Sequence, residues 1–307
     1  MTATPRDPLR DRARAAYLGL AVGDALGATV EFMTPKEIQH KHGVHKQIIG
    51  GGWLRLKPGQ VTDDTTMTLA LGHAILDQEG LIHGQAVARA FDAWMRTKPV
   101  DIGNTVRRGI VEFRRTGDTV RPVNEHEAGN GAAMRLMPAA LATLGRAESE
   151  VITAILTQAH VTHHNPQSDA CCVTLALMQQ DILSGQPLAA ARRRAEALAD
   201  DTPVFEFRHK RMENPSGWVV HTFIAVCQAL FETSSFEDCL IDIVNRGGDA
   251  DTTGAIAGML AGAHYGLDAI PRRWLHDLDK NARIACENQA DQITALIAPS
   301  VLTAMAA

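Results

Sequence analysis

The segment of residues 249–262 constrains the fold of this 307-residue chain more than any other. It opens with two aspartates and two threonines and continues with small residues, which are Gly254, Ala255, Ala257, Gly258, Ala261 and Gly262. A helix this slender can approach its neighbours closely, so its first residues can lie deep in the protein. Carboxylates carried there would be buried, and a divalent cation would compensate their charge.

A second acidic cluster, residues 62–65 with the sequence Thr-Asp-Asp-Thr, repeats this composition. Threonine and aspartate are good helix N-caps, so either cluster alone could be a cap and nothing more. Two consecutive carboxylates exceed what one cap needs, however. Because oxygen ligands suit hard cations such as Mg²⁺ and Mn²⁺, we expect the two clusters to form one metal site, in which two cations would balance four aspartates.

A third region adds acidic groups. Residues 19–28 are small and apolar, and Asp24 is their only charge. Glu31 follows seven residues later, a spacing that would place both carboxylates on one face if the helix continued. The alternatives are an aspartate cap and a solvent-facing glutamate.

Helical periodicity dominates the rest of the chain and predicts an all-α fold. One such stripe is formed by Met67, Ala70, Leu71, Ala74 and Ile75. We expect a compact single-domain helical bundle over residues 1–307, with residues 1–12 as a flexible segment and long loops around a metal cleft. Residues 34–61 show little periodicity and are predicted to be an irregular loop, which at this length is often functional.

Composition narrows the classes of protein to which the chain could belong. The formal charge of -5 argues against nucleic-acid binding, which normally requires a basic face. The longest apolar run, residues 252–267, is too short for a membrane span and carries His264. The five cysteines are an odd number without zinc-site spacing, so we expect reduced structural thiols. With no signal-peptide core and no coiled-coil heptads, we expect a cytoplasmic monomer.

A glycine-rich loop, residues 129–135, precedes an apolar stretch. Its backbone N–H groups could hold a phosphate at a helix N-terminus, although a Gly-Asn-Gly tripeptide alone is most often a turn. Arg135 could pair with a phosphate or with a surface carboxylate. The predicted substrate-binding residues are Gly129, Asn130, Gly131, Arg135 and His163.

Three histidines lie close together in the sequence at positions 160, 163 and 164. Zinc ligation by these side chains is one interpretation. The alternative is that the imidazoles are hydrogen-bonded or exposed to solvent without any ion. The sequence alone favours the second interpretation.

Taken together, these motifs resemble the ADP-ribosylglycohydrolase family. The matching segments are residues 19–32 (GLAVGDALGATVEF), 61–71 (VTDDTTMTLAL), 129–135 (GNGAAMR) and 246–262 (RGGDADTTGAIAGMLAG). Residues 48–65 and 98–105 are most similar to the nitrogenase-linked branch of this family. The resemblance implies an all-α fold and a dinuclear centre of two Mn²⁺ or Mg²⁺ ions per chain.

The resemblance also implies roles for single residues. The expected metal ligands are Thr62, Asp63, Asp64, Asp249, Asp251 and Thr252. Asp101 matches an acidic residue proposed as the acid/base, and Glu31 is either the runner-up for that role or a further metal ligand. The loop of residues 129–131 matches one that contacts substrate. The hydroxyls of Thr62 and Thr65 are both plausible ligands.

The implied activity is hydrolysis of the N-glycosidic bond between ADP-ribose and an arginine of a target protein, here ADP-ribosylated nitrogenase Fe protein. Two metals about 3.5–4 Å apart would bind ribose hydroxyls and activate water, and the sequence leaves direct attack and ribose ring opening open. A PII signalling protein is the expected regulator, and membrane association is expected only through a partner. The alternatives are a hydrolase of serine-linked ADP-ribose or O-acetyl-ADP-ribose, a non-catalytic ADP-ribose-binding protein, and a metal-dependent phosphatase.

Overall fold

The computed structural model describes residues 7–297 and is built from helices. Within these residues there are fourteen α-helices and no strand, which confirms the all-α prediction. The helices are α1 (Pro8–Gly27), α2 (Pro35–His42), α3 (Asp63–Asp77), α4 (Gly84–Arg96), α5 (Asn104–Thr116), α6 (Met137–Ala142), α7 (Glu148–His160), α8 (Pro166–Leu183), α9 (Leu188–Asp201), α10 (Val219–Glu232), α11 (Phe236–Val244), α12 (Ala250–Tyr265), α13 (Arg272–Asp277) and α14 (Lys280–Ala295). None of these helices is both long and apolar enough to cross a membrane.

Helices α1 and α12 form the central contact of the molecule and pack backbone to backbone. A Cβ atom on Gly23 would lie 2.0 Å from the carbonyl oxygen of Gly254, and one on Gly258 would lie 2.0 Å from the carbonyl oxygen of Gly19. Only glycine permits this approach. The small residues of α12 therefore have the effect expected from the sequence, because they let the start of the helix lie beside the end of α1, fully inside the protein.

Helix α3 is attached to α1 through Asp24, which is fully buried. The Asp24 carboxylate accepts hydrogen bonds from the backbone N–H of Thr62 at 3.0 Å and from that of Thr65 at 3.1 Å. It also accepts one from the Thr65 hydroxyl at 2.5 Å. Asp24 is thus a cap, but it caps a different helix. The acidic starts of α3 and α12 consequently meet at the same end of α1.

Helix α1 begins earlier than the sequence suggested. The Asp7 carboxylate caps it by accepting from the backbone N–H of Leu9 at 3.0 Å. Arg10 then pairs with Asp291 of α14 at 2.7 Å. These contacts make the second half of the segment 1–12 helical, which corrects the prediction that this segment is flexible; residues 1–6 lie outside the described residues.

The segment 34–61 contains a helix that the sequence analysis missed. A capping box begins α2: Thr34 N–H donates to Glu37 at 2.7 Å, and Glu37 N–H donates to the Thr34 hydroxyl at 3.4 Å. The remainder is irregular, as predicted, and Gly50, Gly51 and Gly52 adopt positive φ. This part of the segment carries Trp53 to the edge of the acidic cleft.

The five cysteines are buried as free thiols, which confirms their structural assignment. Burial raises the pKa of Cys172 to about 12 and has the same effect on the pKa of Cys286. Thiols with such a pKa are protonated near neutrality and therefore poor nucleophiles.

Candidate metal centre

Carboxylates from three parts of the chain converge at the end of α1. Glu31, Asp249 and Asp251 each offer an oxygen within 4.8 Å of the others. The Thr252 hydroxyl donates to Asp64 at 3.3 Å, which joins the two acidic clusters across 188 positions of sequence. The two acidic clusters therefore meet at one place in the structure, and their binding of metal stays a prediction.

A cleft of about 480 Å³ opens above these carboxylates. Its lining residues are Glu31, Phe32, Trp53, Asp63, Asp101, Ile102, Gly103, Asn104, Thr105, Val106, Gly129, Asn130, Gly131, Met134, His163, Gly217, Asp249, Asp251 and Thr252. Two of the expected ligands, Thr62 and Asp64, do not line the cleft. They lie beneath it, where the Thr62 hydroxyl donates to Asp64 at 3.1 Å.

The buried carboxylates repel one another, and a bound cation would compensate their negative charge. Burial, followed by repulsion from neighbouring carboxylates, raises the pKa of Asp64 and of Asp251 well above the ordinary range. Burial likewise raises the pKa of Glu31 and of Asp63, with Asp101 and Asp249 adding repulsion. One oxygen of Asp64, Oδ1, is buried without any hydrogen-bond partner. An all-oxygen donor set with an unpaired carboxylate oxygen fits a hard divalent cation.

Glu31 reaches the site through a turn, not along a helical face. Helix α1 ends at Gly27, so the spacing of seven residues from Asp24 does not act as a helical repeat. Instead, the backbone N–H of Phe32 donates to the carbonyl oxygen of Gly248 at 2.7 Å. The backbone N–H of Gly248 donates in turn to the carbonyl oxygen of Met33 at 2.9 Å. This pair of hydrogen bonds holds Glu31 beside the start of α12.

Asn130 supports the second acidic cluster from the cleft wall. Its side-chain amide donates to the Asp249 carboxylate at 2.6 Å and to the Thr222 hydroxyl at 2.9 Å. Its own backbone N–H donates to Gly217 at 3.1 Å. The predicted substrate loop therefore lines the cleft and also orients a candidate ligand.

His163 packs its imidazole against the same loop. A Cβ atom on Gly129 would lie 3.1 Å from the ring, and one on Gly131 would lie 3.0 Å from it. A Cβ at either position would therefore displace the ring by a few tenths of an ångström, and glycine lets it sit this close. Burial lowers the pKa of His163 to about 3, so the ring is neutral at the cleft wall.

The structure corrects the prediction that Arg135 contacts substrate. The side chain is fully buried and is not part of the cleft lining. Its guanidinium donates to Gln158 at 3.0 Å and to the Thr162 hydroxyl at 2.8 Å, and it lies 4.3 Å from the ring centre of Phe91. Burial lowers its pKa to about 9. Arg135 thus braces the connection that follows α7 from inside the core.

Asp101 lies at the cleft rim, outside both clusters. The neighbouring Gly103 N–H donates to Asp63 at 3.2 Å and fixes this loop against the first cluster. The Asp101 carboxylate accepts from the N–H of Ile102 at 2.7 Å and is only half-buried. Burial raises the pKa of Asp101, so this carboxyl keeps its proton at a higher pH than an exposed aspartate does. A pKa closer to the working pH suits a general acid.

Two aromatic residues of the cleft were not predicted from sequence. The indole N–H of Trp53 donates to Glu31 at 2.6 Å. The Phe32 ring centre lies 5.4 Å from that of Trp53, and more than half of each side chain is exposed. A tryptophan directly after three glycines in an aperiodic loop was the available signal.

Comparison with known proteins agrees with this geometry. The model of the ADP-ribosylglycohydrolase family matches residues 5–303. The ADP-ribosyl-dinitrogen reductase glycohydrolase of Rhodospirillum rubrum is 49% identical over 94% of this chain and 97% of its own length. The ADP-ribosylarginine hydrolase Tri1 of Pseudomonas putida (strain GB-1) is 33% identical over 89% of this chain and 76% of its own.

A solved structure titled as an ADP-ribosylglycohydrolase-related protein complex superimposes with a TM-score of 0.82 at 33% identity. The superposition covers 95% of this chain and 99% of the other. Motifs, helical architecture and acidic cleft all agree with the match along the sequence. The chain belongs to the ADP-ribosylglycohydrolase family.

Proposed function

We propose that the protein hydrolyses the N-glycosidic bond between ADP-ribose and an arginine side chain, with two divalent cations in the acidic cleft. The observation that carries this proposal is the convergence of Glu31, Asp249 and Asp251 beside the unpaired oxygen of Asp64. The names of the relatives from Rhodospirillum rubrum and Pseudomonas putida support the ADP-ribosyl group and the arginine linkage.

The residues that would hold the cations are Thr62, Asp63, Asp64, Asp249, Asp251 and Thr252, joined by Glu31. When bound, Mn²⁺ or Mg²⁺ would supply positive charge that attracts the ribose hydroxyl oxygens, and it would lower the pKa of a bound water. Glu31 belongs with the ligands because its oxygen lies within 4.8 Å of those of Asp249 and Asp251. The Trp53 indole N–H donates a hydrogen bond to the same carboxylate.

Asp101 is the proposed acid/base. Cleavage leaves a guanidine, which departs more easily when a nearby acid delivers a proton. Asp101 stands at the rim, keeps a raised pKa and takes no part in the oxygen cluster below. Burial lowers the pKa of His163 to about 3, which makes its ring a poor proton donor near neutral pH.

The proposed target is ADP-ribosylated dinitrogenase reductase, the nitrogenase Fe protein. The support is the 49% identity to the Rhodospirillum rubrum enzyme, which extends over nearly the full length of both chains. Regulation by a PII protein stays a prediction from the resemblance. A cytoplasmic location, membrane contact only through a partner and a monomeric state stay predictions from the sequence.

Paired substitutions test the proposal. Asp101→Asn should keep two metals per chain by elemental analysis and lower hydrolysis of ADP-ribosylarginine by about 10²–10⁴-fold. Asp251→Asn should lose metal, and Asp118→Asn, at an exposed position, should match the wild type. Full activity of the Asp101 variant would remove it from the mechanism, and two retained metals in the Asp251 variant would overturn the ligand assignment.

The substrate class needs its own comparison. Release of free ADP-ribose should be faster from arginine-linked than from serine-linked peptides. Equal or reversed rates would assign the chain to another activity within the family. Binding of ADP-ribosylated peptide without any release would show a non-catalytic protein.

A further inference from the structure

A second group of metal-ligating side chains lies outside the acidic cleft, where α7 gives way to α8. His160 ends α7, His164 lies in the connection, and Asp169 lies in the first turn of α8. Each offers a ligand atom within 4.8 Å of the other two. We propose that these three residues bind one Zn²⁺ ion.

The orientation of His164 supports this assignment. Its Nδ1 atom lies 2.6 Å from the carbonyl oxygen of Arg121. A carbonyl only accepts hydrogen bonds, so Nδ1 carries the proton, and the neutral ring keeps its free lone pair on Nε2. Histidines that bind metals usually have this arrangement, with the second ring nitrogen donating to a carbonyl or carboxylate.

Asp169 supplies a second, independent observation. Its Oδ2 atom is paired with His160 Nε2 at 3.0 Å, but its Oδ1 atom is buried without any hydrogen-bond partner. The His160 and His164 rings are stacked, with centres 3.7 Å apart and planes at 24°, so one ring would rotate for both to face a common ion. A cation at this point would satisfy Oδ1 and give both imidazoles a common partner. On binding, the neutral His160 ring would change tautomer: its proton would leave Nε2 and return from solvent to Nδ1, so that the Nε2 lone pair can ligate the metal.

The donor set selects the ion. Two imidazoles and one carboxylate suit Zn²⁺, whereas Mg²⁺ prefers oxygen ligands alone. The His160 and Asp169 side chains are 16% and 22% exposed, so water can reach the fourth coordination position. One carboxylate leaves the occupied site with a charge of +1. The expected ligands of the acidic cleft, by contrast, are all oxygen atoms.

The position of the site gives it a structural consequence. The connection that joins His160 to Asp169 also carries His163, whose ring forms the cleft wall beside Gly129 and Gly131. A zinc ion that ties the end of α7 to the start of α8 would brace this wall. It would do so without contact to the acidic clusters, and the inference therefore does not depend on the proposed hydrolysis.

The experiment uses the full chain with excess Mg²⁺, which fills the oxygen-rich cleft, and Zn²⁺ alone as the probe. Competition with a chromogenic chelator should show one zinc per wild-type chain. His164→Asn and Asp169→Asn should each weaken binding by at least about 100-fold, because even loss of a partner outside the coordination sphere costs about 10–100-fold. His126→Asn, at an exposed position of the adjoining loop, should bind like the wild type.

Two further measurements keep the result unambiguous. Asp251→Asn should retain this zinc, and loss of zinc from that variant would overturn the proposal and assign the ion to the cleft. Equal zinc binding by His164→Asn and the wild type would also overturn the proposal. If His164→Asn folds poorly, nitrogen-15 NMR of the wild-type protein decides. The His164 Nε2 resonance should shift on zinc addition, and an unchanged Nε2 resonance would refute the site.

Discussion

The two acidic clusters share a composition but are anchored in different ways. The first is fixed from the core, where the buried Asp24 carboxylate accepts two backbone N–H groups and a hydroxyl from the start of α3. The second is fixed from the cleft, where the Asn130 amide donates to Asp249. Similar acidic sequences can thus be held in place by contacts from opposite sides, one from the core and one from the cleft wall. Loss of the Asp24 contacts should therefore lower the free energy of unfolding, and loss of the Asn130 contact should lower metal affinity.

The largest expected effect comes from the contact that brings both clusters together. Gly23→Ala would place a Cβ atom 2.0 Å from the carbonyl oxygen of Gly254, and backbone cannot yield as a side chain can. We expect the free energy of unfolding to fall by at least about 3 kcal/mol in urea denaturation. Gly117→Ala is the matched control: its Cβ meets open space, although its left-handed backbone should cost about 1 kcal/mol. Equal losses in the two variants would refute the close packing of α1 on α12.

The next effect is the pH dependence of the metal-free protein. Burial raises the pKa of Glu31 to about 8, that of Asp63 to about 7 and that of Asp24 to about 6. The folded state therefore binds more protons than the unfolded state between about pH 4 and pH 8, and the free energy of unfolding should fall as pH rises through this window. A single carboxyl whose pKa is raised by two units lowers the free energy of unfolding by about 2.7 kcal/mol across this window.

The same measurement compares the clusters. Saturating Mg²⁺ should remove the decline, because bound cations keep the carboxylates ionised in the folded state. Asp63→Asn and Asp251→Asn should each reduce it in the metal-free protein. A decline that only one variant reduces would show that the clusters do not titrate as one group.

Structural features that depend on neighbouring residues in the chain could be predicted from the sequence. The small residues of α12 follow a helical repeat, and the repeat predicted a close contact because side-chain size limits helix separation. The acidic clusters were recognisable since two adjacent carboxylates exceed the need of a cap. The helix α2 was also readable: Thr34, Pro35 and Glu37 form the signature of a capping box with proline at the first helical position.

Features that depend on distant packing could not be read. Asp24 caps α3, which begins 39 residues later at Asp63, and nothing near Asp24 indicates that partner. Arg135 was assigned to substrate because it follows a glycine-rich loop, yet its partners Gln158 and Thr162 lie more than 20 residues away. Neither partner is predictable before the path of α7 is known.

A smaller effect separates the two threonines that the sequence left as alternatives. The Thr65 hydroxyl donates to Asp24, whereas the Thr62 hydroxyl donates to Asp64 within the acidic centre. In Mg²⁺, Thr65→Val should lower the free energy of unfolding by about 2 kcal/mol, since a hydrogen bond to a charged group is lost. Its metal affinity should match that of Thr65→Ser, which keeps the hydroxyl. Thr62→Val should instead weaken metal binding, and the opposite pattern would make Thr65 the ligand.

The smallest effect tests the support of the second cluster. Asn130→Ala removes the amide that holds Asp249 but leaves the carboxylate itself in place. Because partners outside the coordination sphere typically contribute a factor of 10–100, we expect metal affinity to fall about tenfold, or about 1.4 kcal/mol, in calorimetric titration with Mn²⁺. Asn288→Ala, on an exposed face of α14, should leave it unchanged. If Asn130→Ala instead lowered the free energy of unfolding and kept full metal affinity, the second cluster would be anchored like the first, and the contrast between the clusters would fail.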